Sequence, residues 1–164
     1  MASKEDWIDR TQNIIVGNDN VIFEFADKNT QDDLQRYVLT QFLSYLNIYC
    51  EKDVSNYSSK ELCQKGIEFI NNKFDYMFDD NITLIDSNFD CSLILVGNRA
   101  FFLVRGTVLD GNFSSRIRDM INNTQIACGF QPHRTGTVET FINKHLSDLI
   151  SKGYQIEGLA HSLG

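Results

Sequence analysis

Two apolar runs with three residues between them constrain this chain most: Cys91-Ser92-Leu93-Ile94-Leu95-Val96, then Gly97-Asn98-Arg99, then Ala100-Phe101-Phe102-Leu103-Val104. Strands joined by so short a connection pair antiparallel, because a parallel pair needs a crossover of about a dozen residues or more. Apolar side chains on consecutive rather than alternate positions predict that both faces of this hairpin are covered. The expected class is therefore α/β, with a mixed sheet between layers of helix. A chain of 164 residues suits one such domain with a sizeable core.

Helical spacing appears on both sides of the hairpin. Downstream, Val138, Phe141, Ile142, His145, Leu146, Leu149 and Ile150 form one stripe, with Thr135-Gly136-Thr137 as cap and Lys152-Gly153 as stop. Residues 154–159 then read as a strand, and 124–127 as a short strand ahead of the helix. Strand, helix and strand in that order predict a parallel crossover. Upstream, Thr30 offers a cap for Leu34, Val38, Phe42, Tyr45, Leu46 and Tyr49. Ser58-x-x-Glu61 fits a capping box ahead of Leu62, Gly66, Phe69, Ile70, Phe74 and Met77. Residues 21–25 read as a further strand, and Phe113, Ile117, Met120 and Ile121 as one face of a short helix. Aromatic stripes of this kind predict core rather than a cofactor box.

Charge and cysteine content narrow the function. Fifteen basic against 22 acidic residues leave a net charge of −7, which disfavours nucleic acid and anionic membranes as electrostatic partners. No apolar run approaches the roughly 18 residues of a membrane span. The amino-terminal MASKEDWIDR is charged and has no apolar stretch, so no secretory signal is read and a cytoplasmic location is expected. Cys50, Cys63, Cys91 and Cys128 lie 13, 28 and 37 residues apart without a C-x-x-C pair, so no metal site is expected and the thiols read as reduced and buried.

The strand at 154–159 runs directly into Ala160-His161-Ser162-Leu163-Gly164. Small-x-Ser-x-Gly behind a strand is the pattern of a nucleophile elbow, whose strained turn exposes the serine and needs small flanking residues. Of the three histidines, His133 beside Pro132 reads as an exposed loop residue and His145 as a buried, hydrogen-bonded one.

In order along the chain, FFLVRGT, the polar stretch with RIRD, IACGF and YQIEGLAHSLG resemble the class 3 (fungal-type) lipases, a branch of the α/β-hydrolases. The likeness covers residues 90–164; residues 1–80 form an amino-terminal helical part with no motif. The resemblance implies a serine hydrolase of acyl esters, of lipids above all, with no cofactor and no metal. Ser162 is then the nucleophile, Thr107 and Leu163 give the oxyanion-hole N–H groups, and Phe113 and Ile117 lie on a lid over the substrate. Ala160, His161 and Gly164 are elbow scaffold in this reading, and Ala160 stands where the family usually has Gly. The family's acid and base follow its serine, yet only Leu163 and Gly164 follow Ser162. The expectation is thus a truncated chain, inactive alone or completed by another chain. The alternative is a non-catalytic, degenerate hydrolase module that binds acyl chains or a protein partner.

Overall fold

A computed structural model describes residues 26–43, 58–88, 90–104 and 133–160. Strands β1 (Thr83–Ser87), β2 (Cys91–Val96), β3 (Arg99–Val104) and β4 (Gln155–Ala160) form one mixed sheet in the order β1-β2-β3-β4. The first three run antiparallel to their neighbours, and β4 runs parallel to β3. Helices α1 (Lys28–Leu43) and α2 (Ser59–Lys73) pack on one face, and α3 (His133–Ser151) on the other.

The hairpin is apolar on consecutive positions because each face has its own core. Ile94, Val96, Phe101 and Leu103 meet Val38, Leu39, Cys63, Ile67, Ile70 and Phe74 under α1 and α2. Cys91, Leu93, Ala100 and Phe102 meet Phe141 and Leu149 under α3. Phe102 and Phe141 are edge-to-face, with ring centroids 6.3 Å apart. Each such buried aromatic or aliphatic side chain contributes about 1.5–3 kcal/mol. Gly97 closes the hairpin with φ 57°, a left-handed conformation that glycine adopts without a Cβ penalty. Arg99, read as the end of the turn, already belongs to β3.

Three helix readings need adjustment. Helix α1 starts ahead of Thr30: Asp27 accepts from the Thr30 N–H at 3.0 Å and its hydroxyl at 2.9 Å, so Asp27 is the cap. Helix α2 has the expected capping box, with Ser58 and Glu61 bonded reciprocally. Its buried face is Cys63, Ile67, Ile70, then Phe74 and Met77, one step round from the stripe that began at Leu62. Helix α3 starts at His133, so His133 is helical rather than in a loop and Thr135 to Thr137 lie inside the first turns. Ile150 is 61% exposed and stands off the buried face. The helix ends where Gly153, at φ 76°, donates to the Ile150 carbonyl and Tyr154 to that of Leu149.

Strand β1 is not among the strands read from sequence. A bulge between Leu84 and Asp86 breaks its period of two, and its last residues are polar. Strand β4 runs parallel to β3, and the crossover read between the strand at 124–127 and this one is not among the described pairings. The strand readings at 21–25 and 124–127, the helix reading around 113–121 and the stripe positions Tyr45, Leu46 and Tyr49 lie outside the described residues.

Candidate functional site

The carboxyl ends of β3 and β4 lie side by side: Val104 is the register partner of Ala160 in the parallel ladder. In open α/β sheets ligands gather at the carboxyl ends of parallel strands, where the loops diverge. Thr107 and Ser162, which the sequence singled out, follow these two strand ends in the chain by three and two residues. Of the predicted site residues, Ala160 is described; it is the last residue of β4 and is exposed. Thr107, Phe113, Ile117, His161, Ser162, Leu163 and Gly164 lie outside the described residues. Gly158, on the α3 side of β4, is also exposed, and a Cβ there would meet nothing within 4 Å.

His145 has the hydrogen bond that its place on an apolar stripe called for. Its Nε2 lies 2.8 Å from Asp86 Oδ2, and Lys144 Nζ reaches the same oxygen at 2.7 Å. The hydrogen bond from Lys144, then that from His145, hold the Asp86 carboxyl below its ordinary pKa against the opposing effect of burial. The His145 ring packs 5.2 Å from that of Phe141. Asp86 stands on β1, three strand spacings of about 4.8 Å from β4. His145 is therefore held toward β1, away from the carboxyl end of β4.

A second charged cluster ties down the opposite end of the same strands. Glu157 of β4 accepts from Arg36 Nε at 2.7 Å and from Arg99 Nη2 at 3.2 Å. Arg99 also donates to Gln35 Oε1 at 2.8 Å and lies 4.7 Å over the Phe101 ring. Gln35 in turn donates to the Met77 carbonyl. The Arg36 hydrogen bond is the main cause that holds the Glu157 carboxyl below its ordinary pKa. This network joins α1, β3 and β4.

The described cysteines, Cys63 and Cys91, are both buried, and burial pushes the Cys63 thiol up to about 11. Among the described residues no group of three or more His, Cys, Asp or Glu side chains is placed to hold a metal ion. No described helix is long and apolar enough to cross a membrane. Sequence reading missed Asp86 and Asn88, although the Ser87-Asn88 step before Asp90 is a turn signal. Asn88 Oδ1 accepts from the N–H groups of Asp90 and Cys91, both at 2.8 Å. Comparison of the chain with protein-family models, with curated proteins and with solved structures finds no match.

Proposed function

We propose that the chain carries the elbow-bearing part of an α/β-hydrolase similar to the class 3 lipases, acting on acyl esters, with Ser162 as nucleophile. The observation that supports this reading is the Val104–Ala160 register. Thr107 follows Val104 by three residues and Ser162 follows Ala160 by two. Chain of that length reaches at most about 10 Å and about 7 Å beyond the sheet, from strands about 4.8 Å apart. A serine on one segment and an N–H donor on the other can thus face the carbon and the oxygen of one ester carbonyl.

In this reading Ser162 Oγ attacks the ester carbonyl, and the N–H groups of Thr107 and Leu163 receive the oxyanion. Each such donor contributes about 10²–10³ in rate. Collapse expels the alcohol, and water then releases the acid from the acyl-serine. The base that takes the Oγ proton belongs outside the described residues, since His145 is engaged by Asp86.

Fluorophosphonate labelling of the complete protein, or of this chain with its complementing chain, tests the proposal, because it requires an activated serine. Adduct at Ser162, found by peptide mass spectrometry and lost in Ser162→Ala, is the expected result. A folded, complete protein that takes no label overturns it and favours the non-catalytic module.

A further inference from the structure

A groove of about 550 Å³ runs between the end of β1 and the first half of α3. Asp86 and Asn88 line one side, Thr137 and Lys144 the other, and Phe141 is its apolar wall. The Asn88 carboxamide is held in place by its oxygen, which takes two backbone N–H groups. Its amide nitrogen and the Thr137 hydroxyl have no hydrogen-bond partner among the described residues. Lys144 uses one of its three protons on Asp86.

Elimination fixes the ligand's chemistry. An anion would face the Asp86 carboxylate on a chain of net charge −7. A cation would have to displace Lys144 and His145, which already hold Asp86 Oδ2 at 2.7 and 2.8 Å. A wholly apolar ligand would bury the Asn88 amide and the Thr137 hydroxyl without partners. Hydroxyl groups both donate and accept, which suits a site with amide and ammonium donors beside hydroxyl and carboxylate acceptors. Carbon-bound hydrogens of the same ligand suit the Phe141 wall.

We propose that this groove binds a neutral polyhydroxyl compound, a sugar or cyclic polyol, through Asn88, Thr137 and Lys144. The proposal is independent of the hydrolase reading, since it uses neither Ser162 nor Thr107.

Ligand-detected NMR on the full chain tests it, with glucose and myo-inositol as polyol probes and inorganic phosphate and decanoate as counter-probes. Asn88→Asp keeps the oxygen that holds the turn and removes the amide donor; Thr137→Val removes the hydroxyl at constant shape. Saturable millimolar binding of a polyol, weakened about three- to tenfold by each variant, is expected. Unchanged thermal midpoints in both variants certify that the fold is intact. Polyol binding unaltered by the variants, no polyol binding at all, or saturable binding of phosphate or decanoate in this groove each overturns the proposal.

Discussion

His145 reaches Asp86 across the sheet face because β1 is bulged. Leu84 faces Ile94 and Asp86 faces Leu93, which leaves Ile85 unpaired between them and 42% exposed. In an unbulged strand Asp86 would stand opposite Ser92, on the face covered by α1 and α2, and could not meet α3. One extra residue thus aims a carboxylate at Lys144 and His145 and pins the outer strand to a helix that otherwise packs over β3 and β4.

Asp86→Asn is expected to cost about 1–2 kcal/mol at pH 7, measured by urea unfolding. The sign with pH follows from the depressed carboxyl. Its contribution is present above the ordinary value of 3.8 and is lost as pH falls through the lower folded value. The gap between wild type and variant therefore closes on acidification below about pH 4. A gap of constant size from pH 7 to pH 3 counts against the ion-pair account.

Glu157→Gln leaves Arg99, whose side chain is 15% exposed, beside a neutral group. A loss of about 2 kcal/mol is expected, more than a solvent-exposed pair gives and less than a fully buried one. Arg36→Ala combined with Glu157→Gln forms a cycle whose coupling is expected at about 1 kcal/mol. Additive losses show that Arg36 does not act through Glu157.

Much of the fold was legible, and the illegible parts have physical causes. The β2–β3 hairpin and the Ser58 capping box are local, so adjacent residues report them. The bulge in β1 is invisible because its meaning lies in pairing with Ile94 and Leu93, on another strand. Glu157, Arg99 and Arg36 are far apart in sequence, and nothing local marks them as partners. The buried face of α2 was legible from Ile70 through Phe74 to Met77, and misjudged only earlier, where the stripe ran through Leu62, Gly66 and Phe69 while Cys63 and Ile67 are the buried residues. Of the candidate site, the motif was legible at Ser162, and the sheet adds that its strand neighbours the one leading to Thr107.

Cys63 is expected to resist thiol reagents in the native protein, since its thiol is buried and pushed up to about 11. Modification of Cys63 by a disulfide reagent, followed by peptide mass spectrometry, is expected to keep pace with unfolding in urea. Rapid native-state reaction contradicts this burial.

Ser58→Ala removes the hydroxyl that accepts from the Glu61 N–H and donates to the Glu61 carboxylate, while the backbone N–H of residue 58 still donates to that carboxylate. A loss of about 1 kcal/mol is expected. Helix α2 carries part of the larger core, so the loss registers in global unfolding rather than as fraying alone. A thermal midpoint unchanged in Ser58→Ala indicates that the α2 terminus opens independently of the core.

Ala160 is the last residue of β4 and directly precedes the proposed elbow. It is exposed at the end of β4, so Ala160→Leu is expected to change stability by no more than about 0.5 kcal/mol. The nucleophile-elbow reading demands the opposite sensitivity in chemistry, because the turn at Ser162 needs small neighbours for its close backbone approach. Fluorophosphonate labelling of Ser162 is accordingly expected to fall by about tenfold or more in Ala160→Leu, a barrier increase of about 1.4 kcal/mol. Ala160→Gly, the residue usual in the class 3 lipases, is expected to label at least as fast as wild type. An Ala160→Leu variant that is stable and labels at the wild-type rate means that Ser162 is not held in an elbow.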